Sequence, residues 1–225
     1  MTTIERTIPG FLASTSGFHF ANRWPRGPAL RFRARIPGSM PLELEVRIGD
    51  TANGLCGGMA LATIDRWDRG VPPAPDREPP AEGTPLFREI VQGQVASLEL
   101  GRAVVRFYRA SAASAGARAR ISVGQAWPAV RAAIDAGRLS ALGLVHVASA
   151  DPRRLIGNHQ VVAYGYALDA AAGTVSLRIY DPNHPDDDTV RLGIALDGSR
   201  RSVAFSYVPG EAPLLGIVPL GGPPH

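Results

Sequence analysis

The residues best suited to chemistry in this chain are one cysteine, one histidine and one aspartate, each at the end of a predicted element. Cys56, the single cysteine, sits where a glycine-rich turn, Asn-Gly-Leu-Cys-Gly-Gly, runs into a predicted helix. A thiol in the first turn of a helix meets the positive end of the dipole and free backbone amides, which favour the thiolate. His159 opens one strand-like run, and Asp181 closes the next. Thiol, imidazole and carboxylate are the nucleophile, base and orienting group of cysteine-based nucleophilic catalysis.

The two predicted strands that carry His159 and Asp181 are expected to form a hairpin. The run from His159 and the run at 174–180 are joined by a turn at 169–173. Antiparallel pairing puts the start of one strand beside the end of the next, so the imidazole and the carboxylate are expected to be neighbours. Asn183 could orient His159 instead, and Asp181 is the preferred candidate.

Attack on a carbonyl creates an oxyanion, which needs fixed hydrogen-bond donors. The backbone amide of Cys56 at the helix start is one such donor. Asn53 is the candidate for a second, side-chain donor, and its alternative role is a turn residue or helix cap. Gly57 is a poor helix former. Its missing side chain either keeps the approach to the sulfur open or allows another element to pack closely.

The remaining histidines and a run of acidic residues have simpler interpretations. We expect His184 to be an exposed loop residue, and His19 and His146 to be packed or hydrogen-bonded residues. The three aspartates at 186–188 are rich in oxygen, but their spacing does not match the twelve-residue calcium loop. No metal site and no cofactor are therefore expected.

Composition places the chain in the globular class. It has 225 residues, of which 45% are hydrophobic and 20% charged, which allows one domain or a tight two-lobed one. No apolar run approaches the roughly 20 residues that span a bilayer, and the first residues lack a secretory signal. These features predict a cytoplasmic protein without a membrane partner, with signal-free export left open. A single cysteine excludes an internal disulfide.

The basic residues do not predict nucleic-acid binding. The net charge is +4, and all 24 basic residues are arginines scattered along the chain. Arg31, Arg33 and Arg35 alternate with mostly apolar residues. This alternation is typical of a strand with one solvated face, whereas nucleic-acid binding would favour a basic stripe with interleaved aromatics. We expect no nucleic-acid partner.

The order of predicted elements indicates an α+β fold. Residues 1–28, with several aromatics, are expected to form an irregular arm packed over a domain at 29–225. That domain has a helical half at about 50–138 and a sheet half at about 139–220, since the hydrophobic period changes after Gly137. Residues 71–85 are too rich in proline for a helix, and 99–120 could be helix or loop. Helices are predicted at 56–70, 86–98 and 123–136, and strands at 29–36, 42–48, 141–148, 159–168, 174–180, 189–196 and 203–208.

The chemical residues lie in segments that resemble the papain-like cysteine peptidase superfamily. The likeness rests on Cys56 at a helix start after a glycine-containing turn, on His-x-Val-Val before Tyr-Gly-Tyr, and on Tyr-Asp-Pro-Asn at the next strand end. Within the superfamily, the bacterial peptidases that trim double-glycine leaders are the most similar. The resemblance covers 53–67 and 157–183. Asp50 stands where the family usually has a glutamine, and the interval from Cys56 to His159 is shorter than the ~130 to 150 residues of the papain pattern.

The resemblance implies both a fold and an activity. The fold would be papain-like, with a helical half that carries Cys56 packed on an antiparallel sheet that carries His159 and Asp181. Cys56 would be the nucleophile, His159 the general base and acid, and Asp181 the orienting residue. The activity would be hydrolysis of a peptide or isopeptide bond in a peptide or protein substrate through a thioester acyl-enzyme.

Three other functions are compatible with the same residues. An amine in place of water as acyl acceptor would give a transglutaminase-like or other acyl-transfer enzyme, and side-chain amide hydrolysis would give a deamidase. A non-catalytic binding module would have a blocked cleft, which Trp24 and the aromatic arm could cover.

Overall fold

The structure, a computed structural model, describes residues 3–27, 30–36, 42–48, 54–97, 102–196, 203–208 and 213–220, with backbone alone for the second and third of these segments. Within them the chain forms six α-helices and nine strands. In chain order these are β1 (Thr3–Thr7), α1 (Ala13–Ser16), β2 (Leu30–Ile36), β3 (Leu42–Ile48), α2 (Cys56–Asp68), α3 (Pro85–Ser97), α4 (Arg102–Ala112), α5 (Ala115–Ile121), α6 (Trp127–Asp135), β4 (Ser140–Val145), β5 (His159–Asp169), β6 (Thr174–Tyr180), β7 (Arg191–Leu196), β8 (Val203–Val208) and β9 (Gly216–Pro219). A π-helical turn (Ser122–Ala126) precedes α6, and a 3-10 turn (Pro152–Gly157) precedes β5.

The strands form an antiparallel sheet curled into a half-barrel. Among the described residues this sheet has seven strands. Six of them lie in the order β8-β7-β6-β5-β4-β9, and the seventh, β1, pairs with the carboxyl-terminal end of β5. β2 and β3 form a separate two-stranded antiparallel sheet. Helices are concentrated in the first part of the chain and sheet strands in the second, which confirms the α+β class.

Alternating side chains on the strands build the main core. In β6, Val175, Leu177 and Ile179 are buried, whereas Thr174 is exposed. This period of two is expected for a sheet with one covered face. The buried face packs against α2 and α6, and the resulting core includes Ala60 and other residues of those helices.

Helix α2 lies between this core and a second, smaller one. Leu55 and Met59 are buried in the second cluster together with Phe20 and Trp24 of the amino-terminal arm and Phe87 of α3. Because α2 is packed on both sides, it has little freedom to shift. Its first residue, Cys56, is therefore held in a fixed place relative to the sheet.

A close crossing of α2 and α3 depends on two glycines. A Cβ atom at Gly58 would lie 2.1 Å from the Ile90 backbone oxygen, and one at Gly93 would lie 2.7 Å from the Gly58 oxygen. Only hydrogen-sized side chains let the two backbones approach this closely. The Gly-Gly pair after Cys56 thus contributes to packing at the start of α2.

We expect Gly58→Ala to lower the free energy of unfolding by about 2 kcal/mol, because the clash is with a backbone atom that cannot rotate away. Gly124→Ala is the matched control, since a Cβ there meets no atom within 4 Å. This control should be neutral or stabilising by up to about 1 kcal/mol, as alanine favours helix. Urea denaturation of both variants measures the difference, and equal midpoints would contradict the account of the crossing.

The structure differs from the predicted elements in three places. The arm is not wholly irregular, because Thr3–Thr7 pairs with β5 and Ala13–Ser16 forms one helical turn. The open segment at 99–120 contains α4 and α5, and Gly216–Pro219 adds an unpredicted strand beside β4. Among the described residues, every helix is too short or too polar to span a bilayer.

Candidate active site

Side chains from two other segments hold the amino terminus of α2. The N–H of Leu55 donates to Oδ1 of Asn22 in the arm at 2.6 Å, and the N–H of Gly58 donates to Oε1 of Gln94 in α3 at 2.8 Å. These bonds satisfy amides that a helix start leaves without intrahelical partners. Cys56, as a residue, is partly exposed between them.

The hairpin of β5 and β6 brings His159 and Asp181 together. Val162 pairs with Tyr180, so the start of β5 lies beside the end of β6. Nε2 of His159 is 2.6 Å from Oδ1 of Asp181. The prediction that these side chains are neighbours is confirmed.

The imidazole of His159 also contacts the thiol of Cys56. Because Nε2 faces Asp181, the other ring nitrogen, Nδ1, is the one available to the sulfur. Burial raises the pKa of Cys56, but the charge of His159 and hydrogen bonds from its ring and from the backbone of Gln160 and Gly57 outweigh that effect. The pKa of the thiol is therefore lowered.

The same contacts stabilise the protonated imidazole. Burial lowers the pKa of His159, whereas the charges of Asp181 and Cys56 and their hydrogen bonds raise it, and the result is a pKa of about 10. A lowered thiol pKa and a raised imidazole pKa together favour a thiolate–imidazolium pair near neutral pH. The sulfur is thus prepared as a nucleophile, and the ring is prepared as an acid.

Asp181 is a buried carboxylate with a full set of donors. Its side chain is only 1% exposed. Oδ1 accepts from His159 and from the N–H of Asn183 at 2.8 Å, and Oδ2 accepts from the hydroxyl of Tyr207. Burial raises the pKa of Asp181, but the charge of His159 and these hydrogen bonds lower it by more, so the pKa is lowered overall. Asp181 can therefore remain ionised and orient the ring.

Gly57 lies close to two buried side chains. A Cβ at this position would lie 2.4 Å from Oγ of Ser97 and 2.7 Å from Nε2 of Gln160. Of the two roles considered for Gly57, close packing of another element is the one that these distances support.

The other predicted support residues have mixed outcomes. The side chain of Asn183 accepts from Nδ2 of Asn22 at 3.3 Å, and only its backbone N–H reaches Asp181. Asp181, not Asn183, therefore contacts His159. Asn53 and Asp50, the predicted oxyanion and support positions before Cys56, lie outside the described residues.

Two of the remaining histidines have partners outside the Cys–His–Asp group. Nδ1 of His146 donates to the carbonyl of Pro213 at 3.0 Å. His19 contacts Asp186 at 2.5 Å. His184 lies 4.0 Å from Oδ2 of Asp181, whereas His159 contacts Oδ1.

The acidic run beside the site is used in contacts within the chain. Asp186 also accepts from Arg77, Asp187 accepts from Thr189, and Asp188 accepts from Ser14. Through Asp186 and Asp188 this loop is tied to the amino-terminal arm. The loop that carries Asp181 and the arm thus form one connected wall.

Two residues of the site were missed by the sequence analysis. Tyr207 follows the alternating pattern of β8, which predicts its inward face but not its contact with Asp181. Asn22 lies in an arm for which the only sequence signal was aromatic content. Neither contact could be found without knowing which distant segments meet.

We expect Tyr207→Phe to lower the free energy of unfolding at neutral pH by about 1.5–3 kcal/mol, since it removes a hydrogen bond to a buried charge. The hydroxyl favours the ionised carboxylate, so this difference is present in full above the ordinary carboxyl pKa of about 3.9. It should shrink as pH falls through the lowered pKa of Asp181. Urea denaturation across pH measures both effects.

Tyr166→Phe is the matched control for this variant. The Tyr166 hydroxyl donates to Asp135 at 2.6 Å, but that carboxylate is 41% exposed. Water can replace the lost bond, so the cost should be below about 1 kcal/mol. Equal losses in the two variants would contradict a special role for the Tyr207 contact.

Comparisons of the chain with protein-family models, with curated proteins and with solved structures found no match.

Proposed function

We propose that this protein is a cysteine hydrolase that cleaves a peptide or isopeptide bond through Cys56, His159 and Asp181. The thiolate of Cys56 adds to the carbonyl carbon and forms a C–S bond. The imidazolium of His159 gives its proton to the leaving amine as the C–N bond breaks, which leaves a thioester. Water then attacks the thioester while His159 takes its proton, and a carboxylate product and the free thiolate result.

The observation that carries this proposal is that His159 interacts with both the thiol of Cys56 and the carboxylate of Asp181. A cysteine, a histidine and an aspartate from three elements meet in the order that nucleophilic catalysis requires. The buried Asp181 orients the ring, and Cys56 is a partly exposed residue. A structural cysteine would gain nothing from a charged imidazole partner.

The state of the arm supports an enzyme over a blocked binding module. Trp24, which could have covered the cleft, is buried against Phe20 and Phe87 in the second core. Its Nε1 donates to Oδ1 of Asn22 at 2.9 Å. The arm packs beside α2 in this position, and Cys56 remains partly exposed.

The peptide or isopeptide bond is proposed from the resemblance of the two chemical segments to papain-like peptidases. The finer fold assignment is part of the same proposal. A helix that begins with the cysteine and packs on an antiparallel sheet with the histidine and the aspartate supports a papain-like arrangement.

The proposal is tested with an electrophile and a peptide library. Fluorescent iodoacetamide should label wild-type protein rapidly near neutral pH, and a library of quenched fluorescent peptides should yield cleaved members. Cys56→Ala is the control and should abolish both signals. Labelling at the rate of an ordinary thiol, together with no cleaved peptide, would contradict the proposal and favour a binding module.

A further inference from the structure

The side-chain amide of Asn22 has an orientation fixed by its neighbours. Its Oδ1 accepts from the N–H of Leu55 at 2.6 Å and from Nε1 of Trp24 at 2.9 Å. A backbone amide and an indole can only donate, so the atom that faces them must be the oxygen. The other end of the group, Nδ2, is therefore a donor that points away from both.

That donor lies between the start of α2 and the loop that carries Asp181. A Cβ at Gly54 would be 2.6 Å from Nδ2 of Asn22, and Nδ2 donates one hydrogen to Oδ1 of Asn183 at 3.3 Å. An amide nitrogen carries two hydrogens. Among the described residues the second hydrogen of Nδ2 has no acceptor. Asn22 is also partly exposed, so a bound molecule can reach it.

The backbone N–H of Cys56 is available on the same side of the molecule. The N–H of Leu55, directly before it, donates to Asn22, and the N–H of Gly58, two residues after it, donates to Gln94. Within the described part of the chain the N–H of Cys56 itself has no acceptor. Since Leu55 directly precedes Cys56 and contacts the Asn22 amide, the two unused donors both lie at the amino-terminal end of α2.

We propose that Nδ2 of Asn22 and the N–H of Cys56 together form the oxyanion hole of this site. The inference rests on the proposed function. When the thiolate adds to a carbonyl, the C–S bond forms and the carbonyl π electrons move onto oxygen, which becomes the oxyanion. Two fixed donors then stabilise this charge, and its collapse restores the carbonyl and expels the leaving group.

Through the contacts of Asn22, the amino-terminal arm becomes part of the catalytic site. The backbone N–H of Asn22 donates to the carbonyl of Pro182 at 2.8 Å, next to Asp181, while its side chain holds the start of α2. The arm is thus a part of the site that links the thiol-bearing helix to the carboxylate-bearing loop. It also supplies a fixed hydrogen-bond donor for a developing anion.

The test separates attack at a carbonyl from attack at a saturated carbon. Acylation of Cys56 by p-nitrophenyl acetate passes through an oxyanion, whereas alkylation by iodoacetamide does not. Asn22→Asp keeps the acceptor for Leu55 and Trp24 but removes the donor. We expect it to slow the acylation burst about 100-fold. Its alkylation rate, measured on the pH-independent plateau of each protein, should stay unchanged.

Two further variants complete the test. Arg23→Ala, at the exposed neighbouring position of the arm, should leave both rates unchanged. Asn22→Ala removes donor and acceptor together, so it should slow acylation and also lower thermal stability. A selective loss of acylation in both Asn22 variants would support the assignment.

Contrary results have distinct meanings. An unchanged burst in Asn22→Asp overturns the role of Asn22 as a donor. Equal losses of acylation and alkylation overturn it as well, because they would show that Asn22 only holds α2 in place. A wild-type protein that is never acetylated at Cys56 overturns the hydrolase proposal, and the oxyanion hole with it.

Discussion

Replacement of His159 by alanine is expected to slow acylation of Cys56 by p-nitrophenyl acetate about 1,000-fold near neutral pH, within the range known for general acid–base groups. Without the imidazolium, burial dominates and raises the pKa of the thiol, so little thiolate remains to attack the ester. The burst of nitrophenolate under excess reagent measures the rate.

His184→Ala is the control for this variant. His184 is a partly buried histidine that lies 4.0 Å from Oδ2 of Asp181, whereas His159 contacts Oδ1. It should retain the wild-type burst rate. If His159→Ala kept that rate as well, the thiol would not depend on the imidazole and the proposed mechanism would fail.

The second large effect is expected from Asp181→Ala. The carboxylate holds His159 at 2.6 Å and supplies the main charge that keeps the ring protonated. We expect a loss of about 100- to 1,000-fold in acylation, because the ring is no longer oriented and its pKa falls. The free energy of unfolding should fall by about 3 kcal/mol, since breaking a buried ion pair leaves one partner uncompensated.

The conservative variant separates charge from shape. Asp181→Asn retains a carbonyl oxygen that can accept from His159 but carries no charge, so its activity should lie between wild type and Asp181→Ala. Asn183→Ala keeps the backbone N–H that reaches Asp181 and should cost far less than either. Equal activity in wild type and Asp181→Ala would show that the carboxylate does not support the ring.

Activity should also have a defined pH range. The thiolate is lost as pH falls through the lowered pKa of Cys56. The acid that protonates the leaving amine is lost as pH rises through the pKa of His159, about 10. The acidic and the basic limit of activity both follow from the ion pair between Cys56 and His159.

Most of the elements and one pair of the site could be predicted because local patterns determine them. Alternation of buried and exposed residues marks β6, and a hairpin brings its ends together over a short stretch of chain, so His159 and Asp181 could be placed side by side. The helix start at Cys56 could likewise be predicted, because a glycine-rich turn there precedes an apolar pattern with helical spacing.

The rest depends on contacts between distant segments. Tyr207 reaches Asp181 because β8 lies two strands from β6 in the sheet, an order that no local pattern contains. Asn22 reaches Leu55 because the arm packs against α2. In α4, the buried residues Ala103, Phe107 and Ala110 have helical spacing. The surrounding alanine, serine and arginine residues are compatible with helix or loop, so the sequence did not predict this helix.

The central claim is that Cys56 and His159 form an ion pair near neutral pH, and the ultraviolet absorbance of the thiolate tests it most directly. The signal is the difference between wild type and Cys56→Ala across pH. We predict that the thiolate is already present well below the ordinary thiol pKa of about 8.5, and that in His159→Ala it forms only at higher pH. A wild-type titration at the ordinary value, unchanged by His159→Ala, would contradict the account.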